Sequence, residues 1–157
     1  MKTSKILFDS YAWIEFFLGS SKGETVSAYL SQADCHTPLI VIAELSAKYA
    51  ELPLVLWNER LAFIQSQTEV IPLTLEIASE AGRTRQIMRE ERPRFGLVDA
   101  IIYETAKAHN LSVLSGDPHF KGLPLLKKKR RKMKSSSRPG RVSSRGRGGF
   151  RPRFSGF

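Results

Sequence analysis

Four acidic residues of this chain occupy positions where an isolated carboxylate is energetically costly. Each follows or interrupts an apolar segment, and the four are Asp9, Glu44, Asp99 and Asp117. Asp9 closes the run KILF and Asp117 follows the run LSVL, whereas Glu44 and Asp99 lie within LIVIAEL and GLVDAII. Buried carboxylates are normally paired or bound to metal, so these positions predict a shared site.

Converging carboxylates suit one kind of chemistry in particular, the binding of a hard divalent cation. Four such groups repel one another, and a cation with oxygen ligands such as Mg²⁺ relieves that repulsion. The three histidines lack zinc-type spacing, and Cys35 is the only cysteine. The sequence also contains no P-loop and no GxGxxG motif.

Each acid also has a purely structural interpretation. Asp9 and Asp99 can cap the helices that they precede or begin, and Asp117 can start a turn. Glu44 can pair with Lys48 one helical turn later. Glu15 and Glu104 are also embedded among apolar residues, and each can face solvent on an amphipathic helix.

The elements that position these acids alternate between short strands and helices. Strands are predicted at 5–8, 35–37, 69–73, 111–114 and 123–126, and helices at 10–18, 23–32, 54–67, 75–91 and 97–109. A further, buried helix is predicted from Pro38, with Thr37 as its N-cap. This pattern predicts an α/β three-layer domain with a central parallel sheet of four to five short strands. Sites in such sheets lie beyond the carboxyl ends of the strands, where Asp9 and Asp117 share one edge.

The basic charge is concentrated at one end of the chain. Residues 127–157 contain 13 Lys and Arg and no acid, whereas residues 1–126 contain 12 Lys and Arg and 15 acids. We therefore expect a folded domain over 1–126 and a disordered tail over 127–157. The Arg-Gly steps of the tail, with Phe150 and Phe154, are typical of RNA-binding segments. The alternatives are a solvated tail without a ligand and a patch for anionic lipid.

Cysteine content and hydropathy predict the compartment of the protein. A single cysteine excludes an internal disulfide framework and favours a reducing, cytoplasmic compartment. No apolar run is long enough to cross a bilayer, and Asp9 and Glu15 interrupt the apolar start of the chain, which we interpret as mature structure.

Residues 1–126 resemble the PIN domain, and specifically the VapC-type toxins of toxin–antitoxin pairs. Four segments carry the resemblance in the family's order: ILFDSYAWIEFF, VIAELSAKY, GLVDAIIYETAKAHN and LSVLSGDPHF. Many relatives have a further acid shortly after the fourth one, where this chain has Pro118-His119-Phe120.

The resemblance implies an endoribonuclease that depends on Mg²⁺ or Mn²⁺. It makes Asp9, Glu44, Asp99 and Asp117 the catalytic, metal-binding acids, with Ser10 and Ser115 as supporting hydroxyls. It also implies a homodimer and a small cognate antitoxin that occupies the site. Water attack on the phosphodiester would leave a 5′-phosphate and a 3′-hydroxyl.

Basic and apolar groups outside the acids suggest surfaces for RNA and for a partner. Arg85, Arg89 and Arg92 fall on one helical face and are candidates for RNA binding, the alternative being a solvated face. The segments YAWIEFF and LPLVLWNERLAFI, with Trp13 and Trp57, offer surface for an antitoxin unless both tryptophans belong to the core.

Three other functions compete with the toxin hypothesis. The first is a non-catalytic RNA-binding protein in which the tail binds, and the second is a PIN nuclease of RNA maturation. The third, a receiver-like domain, requires adjacent acids before Asp9 and a lysine at a late strand end, and neither is evident.

Overall fold

The computed structural model describes residues 4–116, and within that range four strands and six helices alternate. The strands are β1 (Lys5–Phe8), β2 (Asp34–Pro38), β3 (Glu69–Ile71) and β4 (Ser112–Leu114). The helices are α1 (Ser10–Leu18), α2 (Ser21–Gln32), α3 (Leu39–Lys48), α4 (Leu54–Gln67), α5 (Leu75–Glu91) and α6 (Leu97–His109). The predicted strand at 123–126, the boundary at 126 and the tail at 127–157 lie outside the described residues.

The four strands form one parallel sheet in the order β3-β2-β1-β4. Crossover helices connect successive strands, as parallel pairing requires. Pairing of Phe8 with Leu114 aligns the carboxyl ends of β1 and β4. The predicted α/β architecture is therefore confirmed, with four strands in the described range.

The main core lies between the sheet and the helices that cover it. Leu7, Phe8 and Trp13 are fully buried there, and Ile102 of α6 joins them. A second core packs α5 against α6 through Ile77, Ala81, Phe95, Ala100, Ile101 and Tyr103. Residues 100–106 of α6 are all buried, so this helix is central to the domain.

Two glycines set the path of the chain from α1 into α2. The helix α1 ends at Gly19, whose φ of +64° is a left-handed conformation that favours glycine. In α2, Gly23 lies against the backbone of α1, and a Cβ there would overlap the Glu15 carbonyl. Glycine at 23 therefore allows the two helices to pack closely.

The structure corrects the prediction that Thr37 caps the third helix. Thr37 belongs to β2 and is buried, and the helix begins after Pro38. The Thr37 hydroxyl accepts a hydrogen bond from Trp13 Nε1 at 3.1 Å and shares another with the Thr68 hydroxyl at 2.9 Å. The polar side chain thus satisfies buried partners instead of a helix end.

Burial differs from expectation in α3 and decides the role of Trp13 in α1. Only Val41 and Leu45 of α3 are buried, and Leu39 is 48% exposed, so α3 is less buried than its apolar sequence predicts. Trp13 is completely buried in α1 and is excluded as partner surface, whereas Trp57 is partly buried at the edge of the core. No helix among residues 4–116 combines the length and the apolar character needed to cross a membrane.

Candidate functional site

Asp9 lies where β1 ends and α1 begins. It is 3% exposed, and its Oδ1 accepts a hydrogen bond from the Ala12 backbone N–H at 2.8 Å. Asp9 has extended backbone angles, as an N-cap residue does, so the strand leads directly into the helix. The capping interpretation of Asp9 is confirmed, and the cap holds the carboxylate at the carboxyl edge of the sheet.

Asp99 lies in the first turn of α6. Its Oδ2 accepts a hydrogen bond from the Gly96 backbone N–H at 2.7 Å, and the side chain is half-buried. Like Asp9, it therefore lies at a helix N-terminus, where the backbone dipoles stabilise negative charge. Both aspartates are held by backbone N–H groups near the start of a helix.

Glu44 lies in the middle of α3 and is half-buried. One of its carboxylate oxygens, Oε2, is shielded from solvent. The side chain thus lies partly beneath the surface, although α3 as a whole is more exposed than its sequence suggests.

The two predicted supporting hydroxyls flank Asp9 from different elements. Ser10 is the first residue of α1, and Ser115 directly follows β4. Because Phe8 pairs with Leu114, Ser115 and Asp9 leave the sheet at neighbouring positions. Both serines are half-buried. The fourth predicted acid, Asp117, lies outside the described residues.

The described acids do not by themselves complete a metal centre. Among residues 4–116, no three His, Cys, Asp or Glu side chains are grouped so that they could hold a metal ion. The chemistry of the donors, carboxylates held at helix N-termini by backbone N–H groups, nevertheless fits a hard cation such as Mg²⁺. A centre of the predicted composition requires Asp117.

Glu104, which the sequence allowed to face solvent, is instead buried. It is 3% exposed, and it accepts a hydrogen bond from the Thr84 hydroxyl of α5 at 2.5 Å. Lys107 Nζ lies 2.5 Å from its other oxygen, one helical turn along α6. Both carboxylate oxygens are thus engaged. The Thr84 contact joins α6 to α5, whereas the Lys107 pair lies within α6, and we assign Glu104 a structural role.

Glu15 of α1 is half-buried. It accepts a hydrogen bond from the hydroxyl of Ser20, the N-cap of α2. That hydrogen bond lowers the pKa of Glu15 below its ordinary value. The carboxylate therefore remains ionised near neutral pH and acts only as an acceptor.

The three candidate RNA-binding arginines lie at the end of α5. Arg89 is exposed and donates from Nε to the Pro93 carbonyl at 3.0 Å, and Arg85 is half-buried with its Nε shielded from solvent. Arg92 is the half-buried C-cap residue of α5. The helix therefore presents these cations beside the loop that leads to Asp99, and their contact with RNA stays a prediction.

The site thus consists of a parallel α/β sheet with a buried carboxylate, Asp9, directly after its interior strand β1. The PIN domain model matches residues 6–125, and the chain belongs to the PIN domain family. No match was found among curated protein sequences.

Solved structures of toxin–antitoxin proteins share the fold. VapBC2 from Rickettsia felis, bound to a promoter DNA fragment, has a TM-score of 0.63 at 18% identity, covering 77% of this chain and 94% of that one. A toxin–antitoxin complex from Klebsiella pneumoniae has a TM-score of 0.62 at 24% identity, covering 76% and 93%. VapC20 from Mycobacterium tuberculosis, a sarcin–ricin loop cleaving toxin, has a TM-score of 0.56 at 15% identity, covering 71% and 91%.

Proposed function

We propose that this protein is a Mg²⁺- or Mn²⁺-dependent endoribonuclease and the toxin of a toxin–antitoxin pair. The observation that carries the proposal is the position of Asp9, a carboxylate 3% exposed at the end of the central strand β1 of a PIN domain. Toxin–antitoxin complexes and a sarcin–ricin loop cleaving toxin among the structural relatives support the same function.

Asp9, Glu44, Asp99 and Asp117 are the residues that would hold the cation. When bound, it would lower the pKa of a water molecule and stabilise charge on the phosphodiester. The chain's own contribution is to fix the ligands in advance, because backbone N–H groups orient the carboxylates of Asp9 and Asp99. Ser10 and Ser115 supply hydroxyls beside Asp9 that can orient the water or a phosphate oxygen.

Basic groups must offset the repulsion between an acidic site and RNA. We assign this role to Arg85, Arg89 and Arg92, which lie at the end of α5 shortly before Asp99 in the chain. The basic segment 127–157 would add affinity without sequence preference, because each neutralised phosphate releases counterions. Ending the chain at residue 126 should then weaken RNA binding and flatten its salt dependence.

An antitoxin would find apolar surface along α1 and α4. Leu54 and Val55 of α4 are 71% and 68% exposed, and Leu18 of α1 is 71% exposed. Phe63 of α4 stacks on Phe16 of α1 with ring centroids 5.3 Å apart, which makes the two helices one continuous aromatic surface. We further propose that the protein is cytoplasmic and forms a homodimer. Light scattering of the purified chain tests the oligomeric state.

The experiment is cleavage of a total RNA pool by antitoxin-free protein, with Mg²⁺ or Mn²⁺ and then with excess EDTA. We expect metal-dependent cleavage that leaves 5′-phosphate and 3′-hydroxyl ends and is lost in Asp99→Asn. Ends carrying a 2′,3′-cyclic phosphate would refute attack by water. Folded protein that binds RNA through residues 127–157 without cutting it would favour the non-catalytic alternative.

A further inference from the structure

A cleft opens beside Asp9, between α1, α2 and the end of β4. It has a volume of about 160 Å³, and its walls include Tyr11 and Glu15 of α1, Lys22 of α2, and Ser115 and Gly116 after β4. Tyr11 is two residues from Asp9, and Ser115 leaves the sheet next to it. The cleft therefore adjoins the edge where the catalytic acids are proposed.

The volume of the cleft suits a planar ring. An apolar cavity of roughly 150 Å³ accepts a ring the size of benzene, so a cleft of about 160 Å³ that opens to solvent can take the ring edge of a base. The ring of Tyr11 is held in place by two contacts. Gly116 lies so close to the ring that a Cβ there would overlap it, and Lys22 Nζ donates to the Tyr11 hydroxyl at 2.6 Å. Aromatic side chains fixed in this way are the usual stacking partners of unpaired RNA bases.

The polar groups of the cleft have complementary roles. The Glu15 carboxylate accepts from the Ser20 hydroxyl and keeps further lone pairs for donors on a ligand. The Lys22 ammonium, which donates to Tyr11, supplies positive charge for a phosphate. Guanine alone among the four RNA bases presents two adjacent donors, N1–H and N2–H₂, on its Watson–Crick edge. A carboxylate can accept both at once, and the other bases offer a single donor group there.

We propose that this cleft binds a guanine nucleotide of the RNA beside the bond that is cut. Tyr11 stacks on the base, Glu15 accepts from its N1–H and N2–H₂, and Lys22 faces its phosphate. The proposal rests on the proposed ribonuclease function for the identity of the ligand as substrate, but the recognition of the base is a property of the cleft itself.

The test is an NMR titration of the full-length protein with GMP, AMP, CMP and UMP in EDTA, which reports binding without cleavage. GMP should shift the amide signals of Tyr11, Lys22 and Gly116 and bind most tightly. Since a good bidentate contact discriminates by about 1–3 kcal/mol, Glu15→Gln should weaken GMP binding by about 5- to 150-fold. Glu24→Gln, which removes a charge from an exposed position of α2 outside the cleft, should leave the affinity unchanged.

A second variant closes the cleft without changing Glu15 or Lys22, and a matched variant outside the cleft is its control. Thr25 is an exposed residue of α2 that lines the cleft, so Thr25→Phe should fill it and abolish the GMP shifts. Ser27→Phe adds a ring to the same helix outside the cleft and should not. A short single-stranded RNA with one central guanine, compared with the same RNA carrying uracil, checks the preference at higher affinity.

The outcomes separate the cleft from the ribonuclease function. Equal binding of the four nucleotides, or unchanged GMP binding in both Glu15→Gln and Thr25→Phe, would overturn base recognition by the cleft. GMP binding by a protein that does not cut RNA would refute the proposed ribonuclease activity and support guanine recognition by the cleft. Cleavage of RNA without guanine preference and without GMP binding would refute guanine recognition by the cleft but not the ribonuclease activity.

Discussion

Replacing Lys107 by methionine tests whether Glu104 has a structural role. Lys107 Nζ lies 2.5 Å from Glu104, whose side chain is 4% exposed, and the Thr84 hydroxyl contacts the other carboxylate oxygen at 2.5 Å. Methionine keeps most of the apolar stem but removes the positive charge. The variant therefore leaves a buried carboxylate without its ammonium partner while preserving the packing of α6.

The size of the effect follows from the burial of the two partners. Breaking a fully buried ion pair costs about 3–5 kcal/mol, and an exposed pair contributes roughly 0–1 kcal/mol. The carboxylate is buried, but the Lys107 side chain is 36% exposed, so water solvates part of the pair. We expect an intermediate loss of about 2–3 kcal/mol in the free energy of unfolding, which lowers Tm by roughly 10 °C.

Urea unfolding followed by tryptophan fluorescence measures this loss, because Trp13 is completely buried. Arg83→Met is the matched control, since it removes an exposed cation from α5. A Lys107→Met variant that unfolds within about 0.5 kcal/mol of the control, the range of ordinary surface substitutions, would refute the structural assignment of Glu104.

Three further substitutions probe other contacts. Thr37→Val leaves the buried Trp13 Nε1–H without its acceptor and should cost about 1–3 kcal/mol in urea unfolding. Gly23→Ala forces α2 away from the Glu15 carbonyl and should cost about 1–3 kcal/mol in the same assay. Because the Ser20 hydroxyl lowers the pKa of Glu15, its ionised form stabilises the fold above the ordinary pKa, and this contribution is lost as pH falls through the lowered pKa. The unfolding free energies of wild type and Glu15→Gln should therefore differ near neutral pH and converge as the pH falls through the lowered pKa of Glu15.

The alternation of elements could be predicted from the sequence because local signals mark most boundaries. Thr74 caps α5, and α1, α4, α5 and α6 have the predicted limits. Thr37 was misassigned because the residues that satisfy its hydroxyl, Trp13 and Thr68, are distant in sequence. Only the folded chain brings such partners together.

Part of the candidate site could also be predicted, because local sequence marks some of its residues. The apolar flanks of Asp9 predicted its burial, and its position before a helix predicted the cap. The same apolar context surrounds Glu104, and sequence alone could not distinguish the two, because the role of Glu104 depends on Thr84 in another helix. The cleft beside Tyr11 was missed, since it arises from the packing of α1, α2 and β4.

The central claim is that carboxylates at the sheet edge, and not buried acids in general, cut RNA. Asp99 and Glu104 lie in the same helix, so Asp99→Asn and Glu104→Gln form a matched pair of charge-removing substitutions. The decisive measurement is the RNA cleavage rate of both variants in Mn²⁺, normalised to the folded fraction. We expect no cleavage by Asp99→Asn and a wild-type rate per folded molecule for Glu104→Gln. Equal loss in both variants, or cleavage that survives Asp99→Asn, would contradict the assignment of the site.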